Sequence, residues 1–384
     1  MSGLALIDGL PAPLTGSVDL LIVAGEHSGD EHAARMLREL MVKKPGLQVC
    51  ALGGPKLALA GAHLLLDLTE NSTMGFAVLG KISYYRALIA EVVRWVGAHR
   101  PRAVCFVDSS ALNLRIAAAM YSQGFSHKAG GPTKTLYYIS PQIWASRAAR
   151  RFEMARHLDG LAVIFPFEPA CYADTSLPVE FVGHPFVASD YAAPVAFDPS
   201  GPVLLLPGSR RQVVSRIFPV LLKAFQQADT TRDAVVLYPS KEILATLQLA
   251  KPSAKVQLRS TGQADAPIAA SAVLTASGTM SMHCALAGIP GALTYKTDPL
   301  TYLLGRMLVK VPYIGIANLL LKEAMYPEFI QGASTAEVLA GQLRECLDSP
   351  QRLAQTQAYA QKLRALLHAP TKGTAADWVG RHLA

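Results

Sequence analysis

Asp108 closes the apolar run Ala103 to Val107 and is followed five residues on by Asn113. A carboxylate at the end of a short apolar run is where an open α/β sheet presents a general base, because ligands of doubly wound sheets bind just beyond the carboxyl ends of the strands. Three other loops share that setting: Gly25-Glu26-His27-Ser28-Gly29-Asp30, Gly208-Ser209-Arg210 and Ser277-Gly278-Thr279 each follow a similar run. In the second of these, glycine permits a sharp turn, Ser209 and the following amides can face an anion, and Arg210 can fork onto phosphate oxygens. Ser277-Gly278-Thr279 precedes a helical stretch from Met280 to Ala287, closed by Gly288 and Pro290, whose amides and dipole suit a diphosphate. The plain alternatives are a surface arginine after Gly208, an ordinary Ser or Thr helix cap at Ser277 and Thr279, and a capping carboxylate at Asp108.

Glu26, His27, Asp30, Glu31 and His32 gather metal-ligand types in one loop. Their spacing matches neither HExxH nor a closed zinc site, and acids in a first helical turn are stabilising by themselves, so no metal is expected. A polar loop lining a substrate fits better, with Glu26 placed to hydrogen-bond sugar hydroxyls. From Met74 to Trp95, apolar Met74, Phe76, Leu79, Ile82, Leu88, Ile89 and Trp95 stand beside Lys81, Arg86 and Arg94. That pattern describes a core helix, or a surface taking acyl chains and anionic headgroups. The stretch Leu300 to Leu321, with Arg306, Lys310 and nearby Lys322, leaves the same two readings open.

The elements positioning these loops follow from a simple alternation. Apolar runs at Asp19 to Ala24, Val49 to Leu52, Ala103 to Val107, Thr135 to Ile139 and Leu161 to Phe165 are separated by helix-like stretches, which is βαβ patterning. Ala188 to Gly201, with Pro194 and Pro199, suits a linker. A second series follows at Val203 to Leu206, Ala234 to Tyr238, Val256 to Arg259, Ala272 to Thr275 and Gly291 to Tyr295. The expected organisation is α/β: two Rossmann-type domains facing a central cleft, over residues 1–190 and 200–360, with a helix in 361–384 packing back on the first.

Composition narrows the partners. A formal net charge of +8 favours an anionic one, yet the basic residues are scattered with no aromatic platform, which argues against nucleic acid. Five cysteines without a CxxC pair fit buried thiols of a reducing compartment. No stretch reaches the roughly 18 apolar residues that span a bilayer, so the chain is expected to be soluble or surface-bound.

Taken together, Ala24-Gly25-Glu26-His27-Ser28-Gly29-Asp30, Met74-Gly75-Phe76, Ser140-Pro141-Gln142-Ile143-Trp144-Ala145, Phe165-Pro166-Phe167-Glu168, Gly183-His184-Pro185, Gly208-Ser209-Arg210, Ser277-Gly278-Thr279 and Asn318-Leu319-Leu320 resemble the lipid-A-disaccharide synthase family. The likeness runs from about Leu20 to about Leu347. It implies an inverting GT-B glycosyltransferase without metal or other cofactor, joining UDP-2,3-diacylglucosamine to 2,3-diacylglucosamine 1-phosphate. The roles it implies are Asp108 as base; Gly208, Ser209, Arg210, Ser277, Gly278, Thr279 and Asn318 on the nucleotide; and Glu26, Ser28, Gly29 and Asp30 on the acceptor side. Met74, Phe76, Leu79 and Ile82 would meet acyl chains and the cytoplasmic face of the inner membrane, and a homodimer with exchanged C-terminal segments is part of the same implication.

The chain departs from the family pattern where ligands are expected. Ser110, Ala111 and Leu112 replace a proline, an acid and an aromatic, while Val213 and His283 stand where glutamates are expected. Ser146 replaces a second tryptophan, and the carboxylate expected soon after Met74-Gly75 is missing. These changes bear on donor-ribose contacts and acceptor choice. A related UDP-sugar transferase or epimerase with a soluble acceptor, and a non-catalytic nucleotide- or lipid-binding paralog, are the alternatives.

Overall fold

The structure, a computed structural model, describes residues 9–69, 78–261, 266–298, 302 and 311–384. It divides into two units: Met1–Pro185 with Ala369–Ala384, and Phe186–His368. In the first, β1 (Leu20–Ala24) leads to α1 (His27–Lys43), β2 (Val49–Gly53), α2 (Pro55–Leu59), β3 (His63–Asp67), α3 (Val78–His99) and β4 (Ala103–Val107). Then come α4 (Ser110–Ser122), β5 (Lys134–Tyr138), α5 (Arg150–His157), β6 (Gly160–Val163) and β7 (Val179–Phe181). The seven strands are parallel in the order β3-β2-β1-β4-β5-β6-β7.

Burial explains why the runs were continuous rather than alternating, since a parallel sheet is covered on both faces. Leu21, Val23, Val104 and Phe106 pack with Leu88, Val92 and Trp95 of α3 and Ile116 and Met120 of α4. Their neighbours Leu20, Ile22, Ala103 and Cys105 face the opposite way, onto Leu37 and Leu40 of α1. Trp378 and Val379 of the last helix, Ala375–His382, join that second layer. A capping box between Thr374 and Asp377 starts this helix.

The second unit carries β8 (Val195–Phe197), β9 (Val203–Leu206), α6 (Arg211–Ala228), β10 (Ala234–Tyr238), α7 (Lys241–Gln248), β11 (Val256–Ser260), β12 (Ile268–Ala270), β13 (Ala272–Ala276) and α8 (Thr279–Leu286). It continues with β14 (Gly291–Tyr295), α9 (Ile316–Leu321), β15 (Glu328–Ile330), α10 (Ala336–Asp348) and α11 (Pro350–Leu367). Its main sheet runs β11-β10-β9-β13-β14-β15, and β8 pairs with β12 separately. Counted from each unit's first sheet strand, both main sheets reverse between the first strand and the fourth, which is the Rossmann order.

Boundaries differ from the expectation at both ends of the second unit. The break falls after Pro185, so the proline-rich stretch from Ala188 lies inside the second unit, where its strand β8 pairs with β12. The second unit also retains α11, whose Arg352 donates to the Gly291 and Met325 carbonyls; only residues from Ala369 return to the first. Among the described residues no helix is long and apolar enough to cross a membrane.

Candidate active site

Each main sheet reverses where the anticipated loops emerge. In the first unit, β1 ends at Gly25-Glu26 and β4 at Asp108-Ser109, on neighbouring strands with Ala24 opposite Val107. Asp108 and Ser109 adopt φ of 51° and 41°, the left-handed region that non-glycine residues avoid. Several groups hold this turn. The Asn113 amide, fully buried one turn into α4, donates to the carbonyls of Asp108 at 2.9 Å and Val107 at 3.1 Å. The Tyr137 hydroxyl donates to the same Asp108 carbonyl, and the Asp108 amide donates to Tyr138 at 3.0 Å. Burial pushes the Tyr137 hydroxyl well above its ordinary range, which keeps its proton on. A Cβ on Gly25 would lie 2.8 Å from Ser109 Oγ, so glycine is what lets the two loops touch.

The half-buried Asp108 carboxylate accepts from Ser28 Oγ at 3.4 Å. Glu26, His27 and Ser28 are exposed around it, with Glu26 at the helix N-cap but making no side-chain cap bond. One turn past Ser28, burial lowers the imidazole of His32 below its usual value, with the charges of Glu31 and Asp108 opposing. Gly29 is buried, its α-carbon turned to the Val107 carbonyl, and serves close packing of α1 on β4.

Asp30 corrects the acceptor-side expectation. It is 2% exposed, and its oxygens accept from the amides of Gly54, Lys56 and Leu57 at 2.9, 3.1 and 3.2 Å, capping α2 from another element. Three of the roughly four acceptor positions of this carboxylate are thus spent on the backbone of α2. Among the described residues no group of three metal-ligand types could hold an ion.

Glu168 is the acid that composition alone did not single out as chemically distinctive. It is 1% exposed at the start of the short 3-10 turn Glu168–Tyr172 that follows β6, accepting from Ile164 and Phe165 amides through Oε2 and from Trp144 Nε1 at 3.3 Å through Oε1. Burial raises its carboxyl to about 7, against the pull of those hydrogen bonds. The signal was an acid set inside the aromatic run Phe165-Pro166-Phe167, whose rings stack at 5.8 Å. Because the folded value lies above the unfolded one near 4.5, folding is unpenalised below the unfolded value and loses stability as pH rises through 7. The loss is on the order of 3 kcal/mol, so Glu168→Gln is expected to gain on the wild type between about pH 5 and about pH 8. Melting both proteins across that range checks it; a gap that does not move with pH would refute the assignment.

In the second unit the matching position is formed by β9 and β13. Gly208 takes φ of 104° and lies against Ala276, drawing the two loops together. Ser209, Arg210, Gly278 and Thr279 are exposed there, and Arg210 makes no ion pair among the described residues. Two expected nucleotide contacts are otherwise engaged. Ser277 donates its hydroxyl to the Ile314 carbonyl at 2.8 Å. Asn318, 1% exposed, accepts from the Tyr326 amide and donates to the Tyr326 carbonyl and to Glu328, clamping the chain after α9 to β15. Their side chains hold the loop ends and do not reach out of them.

His283 is also turned inward, 6% exposed, its ring 4.0 Å from that of Phe186 and stacked with Tyr191, whose hydroxyl lies 3.2 Å from Nε2. Of the anticipated acyl-chain residues, Met74 and Phe76 lie outside the described residues, as does the side chain of Leu79. Ile82 on α3 is 48% exposed, and Tyr85 and Arg86 are exposed beside it.

The sequence profile of the Lipid-A-disaccharide synthetase family matches residues 20–377. The chain belongs to that family. Lipid-A-disaccharide synthase of Geobacter metallireducens is 33% identical over 369 residues, covering 91% of this chain and 92% of the relative. Solved structures share the fold at low identity. The UDP-GlcNAc 2-epimerase of Neisseria meningitidis bound to UDP-GlcNAc gives a TM-score of 0.61 at 12% identity, covering 95% of this chain and 99% of that one. CalG4, the calicheamicin glycosyltransferase, gives 0.55 at 14%, covering 95% and 98%. The fold is therefore GT-B, and the family's activity is that of a glycosyltransferase in lipid A biosynthesis.

Proposed function

We propose that the chain transfers a 2,3-diacylglucosaminyl group from UDP to the 6-hydroxyl of 2,3-diacylglucosamine 1-phosphate, with inversion. One observation carries the reading. The half-buried Asp108 stands at the switch point of its sheet, in a turn that Asn113 and Tyr137 hold against its backbone preference. As the acceptor oxygen bonds to the donor's anomeric carbon, its proton passes to Asp108 and the electron pair of the breaking C–O bond leaves on the UDP phosphate. Arg210, with the exposed start of α8, is suited to the charge that grows on that phosphate, and stabilising charge where it develops is the larger lever. Glu26 and Ser28 would meet acceptor hydroxyls.

Ile82, Tyr85 and Arg86 favour docking of α3 on the inner leaflet, with apolar residues entering and the cation facing headgroups. The homodimer belongs to the same proposal. A second reading is favoured by the fold likeness to the UDP-GlcNAc epimerase. Purified protein given acylated and plain UDP-sugars separates them: release of UDP from the diacylated donor is expected only with the acylated acceptor present. Turnover restricted to UDP-GlcNAc would contradict the proposal, and no turnover of either would point to a binding protein.

A further inference from the structure

Arg150, the first residue of α5, reaches across to the start of α4, where Nη1 donates to Ser110 Oγ at 3.2 Å. Ser110 is two residues past Asp108. The bond to Ser110 ties the Arg150 guanidinium to the first residue of α4, directly after the Asp108-Ser109 turn.

The next residue shows how an arginine with a purely structural task is satisfied here. Arg151 grips Asp174 through two nitrogens, at 2.7 and 2.5 Å. Arg150 is half-buried and, among the described residues, forms no ion pair. A guanidinium has five N–H donors, and among the described residues Ser110 is the one partner that the Arg150 side chain engages. An anion that arrives with the substrate would take the donors left over. It would also need such a cation, because Glu26 and Asp108 place two carboxylates at this end of the sheet.

We propose that Arg150 binds the phosphate of the acceptor, holding one end of the sugar while Asp108 faces the hydroxyl at the other. This rests on the acceptor reading of the first unit given above. A forked guanidinium suits phosphate better than an ammonium, so arginine rather than lysine is the fitting residue.

The test compares wild type, Arg150→Gln and Arg150→Lys on two acceptors, the acylated sugar 1-phosphate and the same sugar without phosphate. Arg150→Gln is expected to lower kcat/KM for the phosphorylated acceptor roughly 10- to 100-fold, mainly through KM. The dephosphorylated acceptor should be affected little, and Arg150→Lys should recover part of the loss. Equal losses on both acceptors would assign Arg150 to holding α4 through Ser110 and overturn the proposal, as would no loss on either. If the wild type turns over neither acceptor, the transferase reading fails by itself. Calorimetric binding of the phosphorylated sugar then still decides Arg150, since equal affinity in wild type and Arg150→Gln refutes it.

Discussion

Asp108→Ala is expected to lower turnover about 10²- to 10⁴-fold, the range a positioned general base contributes, while the affinity for UDP stays unchanged. The separation follows from the architecture. Asp108 belongs to the first unit, whereas Ser209, Arg210, Gly278 and Thr279 sit on a different sheet in the second. Asp108→Asn is the sharper variant, because it keeps the volume and the Ser28 partner but removes the proton acceptor. Steady-state kinetics with a calorimetric titration of UDP reads both quantities. Turnover within a few-fold of wild type for Asp108→Asn would remove Asp108 from the chemistry.

Asn113→Ala should damage stability and turnover together. Its amide is the donor shared by the Asp108 and Val107 carbonyls, in a position with no access to water. Leaving those carbonyls without it costs about 3 kcal/mol, and two left-handed residues lose one of the groups that hold them, with Tyr137 remaining on the Asp108 carbonyl. Asn113→Asp should be worse, since it sets a carboxylate against carbonyl oxygens. Chemical denaturation measures the first effect. The second is read below the new melting point, where kcat should still be reduced; full turnover at that temperature would show that the turn persists without Asn113.

The strands were legible because their runs are buried on both faces, as in Ala103–Val107. β3 escaped notice since His63–Asp67 is only half-buried, and β7, β8, β12 and β15 because three residues carry no usable period. Loops were placed well and side-chain directions were not. Asp108 follows β4 directly, and this is a local fact of the chain. Asp30 turns inward because its partners are amides of Gly54 to Leu57, more than twenty residues away, and Asn318 does so for Tyr326 and Glu328. No local pattern distinguishes a polar group aimed at a ligand from one aimed at distant backbone. The glutamates missing at Val213 and His283 illustrate the converse: His283 closes an aromatic nest with Phe186 and Tyr191, a feature set by packing.

The return of the last helix to the first unit has a consequence for biosynthesis. Trp378 and Val379 complete the layer over Leu37 and Leu40, and Lys134 and Arg102 hold the carbonyls of His382 and Leu383. A ribosome delivers the half bearing Asp108 early but its closing piece only after the whole second unit. That half must wait, with an apolar flank uncovered, while the second unit is made and can fold within an unbroken stretch. Maturation is thus ordered by topology, the later-made half being the first able to finish.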